Sequence, residues 1–159
     1  MALREFEAPP DDRWFEDYRP GEVYEFPPLT VSEDDMLAFA RQFDPQPYHA
    51  DPLAAGDYPF GGVIASGWHT GSLMMRFLVE HVLATVSALP SPGVDELRWL
   101  TPLCAGDRLR MRLRILSARP SESKPDRGVV HFFVEMLNQD DQPVMTVKPI
   151  GVFKRRMAG

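Results

Sequence analysis

Residues 66–86 read SGWHTGSLMMRFLVEHVLATV. Ser66 suits a helix N-cap, because its hydroxyl can accept from the first free backbone N–H groups. The helix predicted from Gly67 to about Val86 is apolar on nearly every side: Trp68, Leu73, Met74, Met75, Phe77, Leu78, Val79, Val82 and Leu83. Only His69, Arg76 and Glu80 form a narrow polar strip. A helix of this kind must be enclosed by other elements. The apolar region from Trp68 to Leu89 also carries His81, and four ionisable groups are too many for a bilayer-spanning helix. The segment is therefore expected to be a core helix, with no membrane partner.

What encloses it is expected from the second half of the chain. Asp107 to Leu116, DRLRMRLRIL, has a period of two: Leu109, Met111, Leu113 and Ile115 face one way, and Arg108, Arg110, Arg112 and Arg114 the other. Gly93 to Leu100 predicts a strand before it, and Val129 to Leu137 and Val144 to Phe153 two more after it. Pro149 cannot donate to a ladder, so the last strand is expected at an edge or with a bulge. Arg119 to Gly128 reads as a polar, mobile loop. An antiparallel meander that curls around the long helix would bury it, which is an α+β arrangement.

Upstream, residues 1–20 are rich in Pro, Asp and Glu with Trp14, Phe15 and Tyr18 interleaved. They predict an irregular arm pinned by its aromatics, followed by one domain over 21–159. Gly21 to Leu29 predicts a first strand. In TVSEDDMLAFARQF, Ser32 caps a helix, Asp34 and Asp35 favour its dipole, and Met36, Phe39, Ala40 and Phe43 form its apolar face. Pro45 ends that helix by restricting Asp44. Asp51-Pro52 can restart one, with Pro at the first helical position. His49 is thereby expected just before a new helix and Asp44 just after an old one, on a proline-stiffened segment, FDPQPYHAD, that is neither helix nor strand.

The formal charge of −6 over 159 residues argues against non-specific nucleic-acid binding. Hydrophobic residues at 44% and charged residues at 25% fit a globular chain able to bury a core. A single cysteine, Cys104, excludes an internal disulfide framework and fits a reducing cytosol. The N-terminal stretch MALREFEAPPDDRWFEDY lacks the apolar run of a secretion signal. His49, His69, His81 and His131 have no metal-ligand spacing, so no metal is expected.

The motifs now in view resemble the MaoC-like hydratase/dehydratase family, which includes the (R)-specific enoyl-CoA hydratases. Asp44-Pro45-Gln46-Pro47-Tyr48-His49 is similar to the family's Asp-x-Asn-Pro-x-His, with Gln46 in place of Asn. His49-Ala50-Asp51-Pro52 continues it. FGGVIASGWHTGSLMM, residues 60–75, resembles the run that opens the family's central helix, with Ser66-Gly67 at its His-Gly position. GVDELRWLTPLCAGDRL, residues 93–109, is a looser match. The resemblance implies a hot-dog fold, a sheet wrapped around one long helix, and association through sheet edges as a homodimer or larger homo-oligomer. It also implies an acyl thioester as substrate, on coenzyme A or a carrier protein, with no separate cofactor.

Hydrating a 2-enoyl thioester requires a group to take a proton from water, another to return one to C2, and a donor for the charge on the thioester oxygen. Imidazole exchanges protons near neutral pH, and a carboxylate beside it can orient the water. His49 and Asp44 are the candidates. The Gly67 N–H, at the positive end of the central helix, is the candidate oxyanion donor. The resemblance assigns that role to the matching glycine, and Gly67 could equally serve close packing. Ser66, Trp68, His69, Met75 and Gln46 are the candidate substrate-binding residues. Met75 stands where some family hydratases have a serine, and His69 could face the same pocket or be a core residue. The arginine stripe is a solvated face or, through Arg108 or Arg110, an attraction for coenzyme A phosphates, a role Arg98 and Lys148 could also fill. Two other classes stay open: a hot-dog thioesterase, with Glu80 the one acid on the helix, and a non-catalytic acyl-CoA binder.

Overall fold

The computed structural model describes residues 4–157. The outer ends of the expected arm and domain, residues 1–3 and 158–159, lie outside them. Three long strands form the sheet's centre: β5 (Arg108–Pro120), β6 (Arg127–Leu137) and β7 (Pro143–Lys154), antiparallel in that order. On β5 the period of two is realised, with Leu109, Met111, Leu113 and Ile115 buried. Val130, Phe132, Val134 and Met136 continue the buried face on β6 and Val147 and Phe153 on β7. The opposite face carries ion pairs: Arg112 to Glu135 and Arg110 to Asp141.

β1 (Val23–Glu25) and β2 (Leu29–Thr30) both pair with β5 at one edge. The single strand expected over 21–29 is split there, because Pro27 and Pro28 have no N–H to give a ladder. β3 (Ala88–Leu89) and β4 (Val94–Trp99) both pair with β7 at the other edge. β7 is thus an interior strand. Pro149 pairs with Val94, and the irregularity lies on β4, whose register shifts between Asp95 and Arg98, where Glu96 has φ 51°. β5 also runs past its expected end. A register shift between Ile115 and Ser117 places the bulge at Leu116, which breaks the alternation that periodicity follows. The expected polar loop over 119–128 is correspondingly short, since β5 continues to Pro120 and β6 begins at Arg127.

Four helices lie against this sheet: α1 (Glu33–Phe43), α2 (Pro47–Ala50), α3 (Pro52–Ala55) and α4 (Gly67–Phe77). Ser32 caps α1 by accepting from the Asp35 N–H at 3.3 Å. The buried face of α1 is Met36, Leu37 and Ala40, while Phe43, expected inside, is exposed. Ser66 caps α4 by accepting from the Trp68 N–H at 3.3 Å. α4 is the central helix, but it does not continue to Val86. A π turn follows over Leu78–Val82.

The reason lies in the arm. Arg13 donates to the carbonyls of His81 at 2.9 Å and Val82 at 3.0 Å, and the Tyr18 hydroxyl donates to Val82 at 2.6 Å. These donors take over carbonyls that a helix end leaves without partners. The Arg13 guanidinium is itself buried, against the negative end of the helix dipole and 4.4 Å from the Phe6 ring. The arm is not wholly irregular, since Pro10–Asp12 and Phe15–Asp17 form 3-10 turns. Tyr18 stacks on Phe153, and the Phe15 ring fills the place where a Cβ at Gly128 would stand.

Enclosure of α4 is one-sided. His69, Thr70, Met74 and Phe77 are buried, whereas Trp68, Met75 and Val79 form an exposed stripe beside exposed Val94, Trp99 and Leu100. The sheet covers the helix's inner face and leaves an apolar strip open along the β4 edge. Among the described residues, no helix is long and apolar enough to cross a membrane.

Replacing Arg13 by Leu leaves the last carbonyls of the π turn without a charged donor. Arg13→Leu is expected to lower unfolding stability by about 2–3 kcal/mol in a urea titration. A loss below about 0.5 kcal/mol would contradict the assigned role.

Candidate active site

The chain turns twice between α1 and α3. Asp44 leaves the helical region (φ −149°, ψ 68°), as expected of a residue before proline. Pro47 does not merely stop a helix. It occupies the first position of α2, where its missing N–H costs nothing. His49 therefore sits inside a one-turn helix that was not expected, while still preceding the helix expected at Asp51-Pro52, which is α3. Asp51 then caps α3, accepting from Leu53 at 3.0 Å and Ala54 at 3.3 Å.

That extra turn carries the His49 ring inward, to 7% exposure. Its Nδ1 lies 2.7 Å from the Ile64 carbonyl oxygen. A carbonyl can only accept, so Nδ1 carries the hydrogen and Nε2 of the neutral ring is left bare. Nε2 faces Asp44 Oδ2 at 3.5 Å. Two acceptors cannot bond each other directly. A proton on Nε2, or a molecule donating to both atoms, joins them.

Asp44 is held from its other side. Gln46 donates from Nε2 to Asp44 Oδ1 at 2.7 Å, and the Tyr48 hydroxyl donates to Gln46 Oε1 at 2.5 Å. Burial pushes the Asp44 carboxyl up, but hydrogen bonds from Gln46 and Ser66 and the charge of His49 outweigh it, so it lies below its ordinary value. Asp44 is thus a carboxylate at neutral pH.

His49 and Gly67 line one cavity of about 240 Å³, together with Ala65, Thr70, Trp99 and Thr101. Gly67 is the first residue of α4, and its N–H has no acceptor among the described residues. The Trp99 indole packs on Gly67 so closely that a Cβ there would lie 2.3 Å from the ring, and Trp99 Nε1 donates to the Gly67 carbonyl at 3.0 Å. Glycine is required here by packing, and its N–H belongs to the first turn of α4, where helical N–H groups lack intrahelical partners.

The other expected binding residues divide. Gln46 and Ser66 reach the site through Asp44, and Trp68 reaches it through an edge-on contact with Trp99 at 5.1 Å. His69 is not in the His49 cavity. It stacks on Phe39 at 5.0 Å and lines a separate cleft of about 290 Å³ with Asp35, Arg76 and Glu80. Successive residues of a helix diverge by about 100°, so His69 and Thr70 face different ways. Burial lowers the His69 pKa against an opposing effect of Asp35, which keeps the ring neutral. Met75 lines a third, apolar cavity of about 360 Å³ with Met74, Leu78 and Val94. Glu80 pairs with Arg76 at 2.8 Å on the His69 side and does not line the His49 cavity. Cys104 sits in the turn before β5, where burial raises its thiol pKa. Among the described residues, no group of three or more His, Cys, Asp or Glu could hold a metal ion.

Thr70, Trp99 and Thr101 are wall residues that sequence reasoning did not single out. Thr70 was legible in principle, standing one turn beyond Gly67 on the same face. The two from the β4 end carry no local signal.

Asp44 and His49 stand beside the N-terminal end of α4, the helix that the antiparallel sheet covers on its inner side, which is the arrangement of a hot-dog fold. Residues 16–130 match the family described as "MaoC like domain", so the chain belongs to the MaoC-like family, whose broad activity is hydration and dehydration. The crystal structure of the MaoC-like dehydratase from Rhodospirillum rubrum is 35% identical, with a TM-score of 0.83, covering 92% of this chain and 99% of that one. The (R)-hydratase PhaJ1 from Pseudomonas aeruginosa shares the fold at 23% identity and a TM-score of 0.74, covering 92% of each chain. The 3-hydroxyacyl-thioester dehydratase Z of Mycobacterium tuberculosis is 31% identical over 86 residues, 52% of this chain and 56% of that protein.

Because its pKa is depressed in the folded state, ionised Asp44 stabilises the fold above the ordinary value of 3.8, and this contribution is lost as pH falls through the folded value. The stability difference between wild type and Asp44→Asn is expected to be largest at neutral pH and to shrink on acidification below 3.8. A difference that stays constant in urea titrations across that range would contradict the assignment.

Proposed function

We propose that this chain adds water across the 2,3-double bond of an enoyl thioester carried on coenzyme A, or runs the reverse dehydration. The observation that carries the reading is the placement of His49 Nε2, stripped of its hydrogen by the Ile64 contact, 3.5 Å from the Asp44 carboxylate, with His49 lining the cavity that Gly67 also lines. A water between these atoms donates one hydrogen to Asp44 and the other to His49. His49 Nε2 takes its proton as the oxygen bonds to C3. Electron density passes through C2 to the thioester oxygen, against the Gly67 N–H and the positive end of α4. The pair then returns a proton to C2, and the carbonyl re-forms. In dehydration the same atoms act in reverse order. The substrate class printed for the mycobacterial relative, a 3-hydroxyacyl thioester, supports the reading, since that is the product side of this reaction.

We also propose that the active form is a homo-oligomer. Among the described residues β4 pairs only with β7, leaving its outer ladder groups without a strand partner there, and the Trp68, Met75 and Val79 stripe lies exposed. Such an edge and patch favour a second copy. Glu80 is turned away from the cavity, which removes the acid a thioesterase reading would use.

Purified protein is expected to bleach the conjugated-enoyl absorbance of crotonyl-CoA, with no thiol release. His49→Ala and Asp44→Asn are each expected to lower kcat/KM by about 10²–10⁴-fold. Wild-type protein inert towards enoyl-CoAs of every length, or full activity in both variants, would reject the reading.

A further inference from the structure

Building on the enoyl-thioester reading, we propose that Tyr48 is a positioning residue for the reaction: its hydroxyl orients the Gln46 amide, and the amide holds the Asp44 carboxylate with Oδ2 turned to His49. The contacts run in one direction. A carboxylate can only accept, so the end of the amide that lies 2.7 Å from Asp44 Oδ1 is the NH2 group. The amide oxygen then faces Tyr48, and the hydroxyl 2.5 Å away donates to it. Asp44 Oδ1 is taken up by this donor. That leaves Oδ2, 3.5 Å from His49 Nε2, as the oxygen that faces the imidazole.

Gln46 stands at the N-cap of α2 and makes no side-chain cap hydrogen bond, so its amide does nothing for that helix end. It is bonded to Asp44 and Tyr48 instead. Gln46 is exposed and flexible, and holding it against Asp44 alone costs much of its side-chain freedom. Tyr48 supplies the second anchor, and it is a stiff one. Its ring meets His49 edge-on at 4.4 Å, Tyr58 at 5.1 Å and Phe60 at 6.1 Å. Its carbonyl accepts from the Ile64 N–H at 3.1 Å, while the Ile64 carbonyl faces His49 Nδ1. The hydroxyl is thereby fixed relative to the His49 ring, and one amide passes that reference on to Asp44. Pro45 and Pro47 stand between the three members and fix φ there, so the backbone holds their alternate placement. The last torsion of an aspartate is soft. Without the hydroxyl the amide turns freely, and the carboxylate turns with it.

The test compares wild type, Tyr48→Phe, Gln46→Leu and the double variant in the full chain. Tyr48→Phe keeps the ring and removes only the hydroxyl. Two quantities are read: kcat/KM with crotonyl-CoA, and the titration of the Asp44 carboxyl carbon by NMR, with Asp44→Asn as the assignment control. Gln46 and Ser66 give Asp44 neutral hydrogen bonds, and His49 is the titratable group that faces it. Tyr48→Phe is expected to lower kcat/KM about three- to tenfold, the worth of one hydrogen bond. It is also expected to raise the Asp44 midpoint towards the ordinary value of 3.8, because a donor to the charged form is weakened. Gln46→Leu is expected to do the same or more. The double variant is expected to lose no more than Gln46→Leu alone, since the hydroxyl acts only through the amide. A midpoint or a kcat/KM that stays at the wild-type value in Tyr48→Phe, or losses that add in the double variant, overturns the positioning role and leaves the hydratase reading intact. Wild type that turns over no enoyl-CoA rejects the hydratase reading instead, and the Asp44 titrations then decide on Tyr48 by the same rise or lack of it.

Discussion

The contact from His49 Nδ1 to the Ile64 carbonyl is the constraint on which the site rests. It does two things at once. It ties α2 to the segment that leads into α4, and it decides which imidazole nitrogen faces the cavity. That segment is held on both sides: Ile64 donates to the Tyr48 carbonyl at 3.1 Å, and Ala65 donates to the Leu103 carbonyl at 2.8 Å. The His49 ring, the N-terminus of α4 and the stretch between β4 and β5 are therefore one hydrogen-bonded unit. A shift in any of them would move Nε2 relative to Asp44 and Gly67.

Around that unit the architecture divides its labour. The sheet buries the inner face of α4 under Leu109, Met111, Val134 and Val147, and the arm closes the helix's far end through Arg13 and Tyr18. The N-terminus of α4 is left with an N–H that has no acceptor among the described residues, beside the His49 cavity. The same division leaves the β4 edge and the Trp68, Met75 and Val79 stripe uncovered, on the side where Trp99 stands.

Much of this was legible in the sequence. The alternation in DRLRMRLRIL gave β5 and its inward face, and the all-round apolar run after Ser66 gave α4 and its cap. The resemblance supplied the hot-dog arrangement and paired Asp44 with His49, which periodicity could not do. What escaped has physical causes. The bulge at Leu116 inverts the phase of β5, so the strand seemed to end early. The π turn depends on Arg13 and Tyr18, about 60 to 70 positions away in the chain. Prolines stiffen FDPQPYHAD in the sequence, but the fixed φ of Pro47 also makes it a helix opener, and that moves His49 from a loop into α2. His69 was grouped with the site by its closeness in sequence, and helical geometry sends it to the other side. Trp99 belongs to the site only through the turn that brings β4 back over Gly67.

The most direct test of the central claim is the tautomer of His49, read from nitrogen-15 chemical shifts of its neutral ring with His49→Gln as the assignment control. The account requires hydrogen on Nδ1 and a bare Nε2, with the Nε2 signal moving when a saturated acyl-CoA is added. Hydrogen on Nε2 in the neutral ring would contradict it, because the atom facing Asp44 could then take no proton from water.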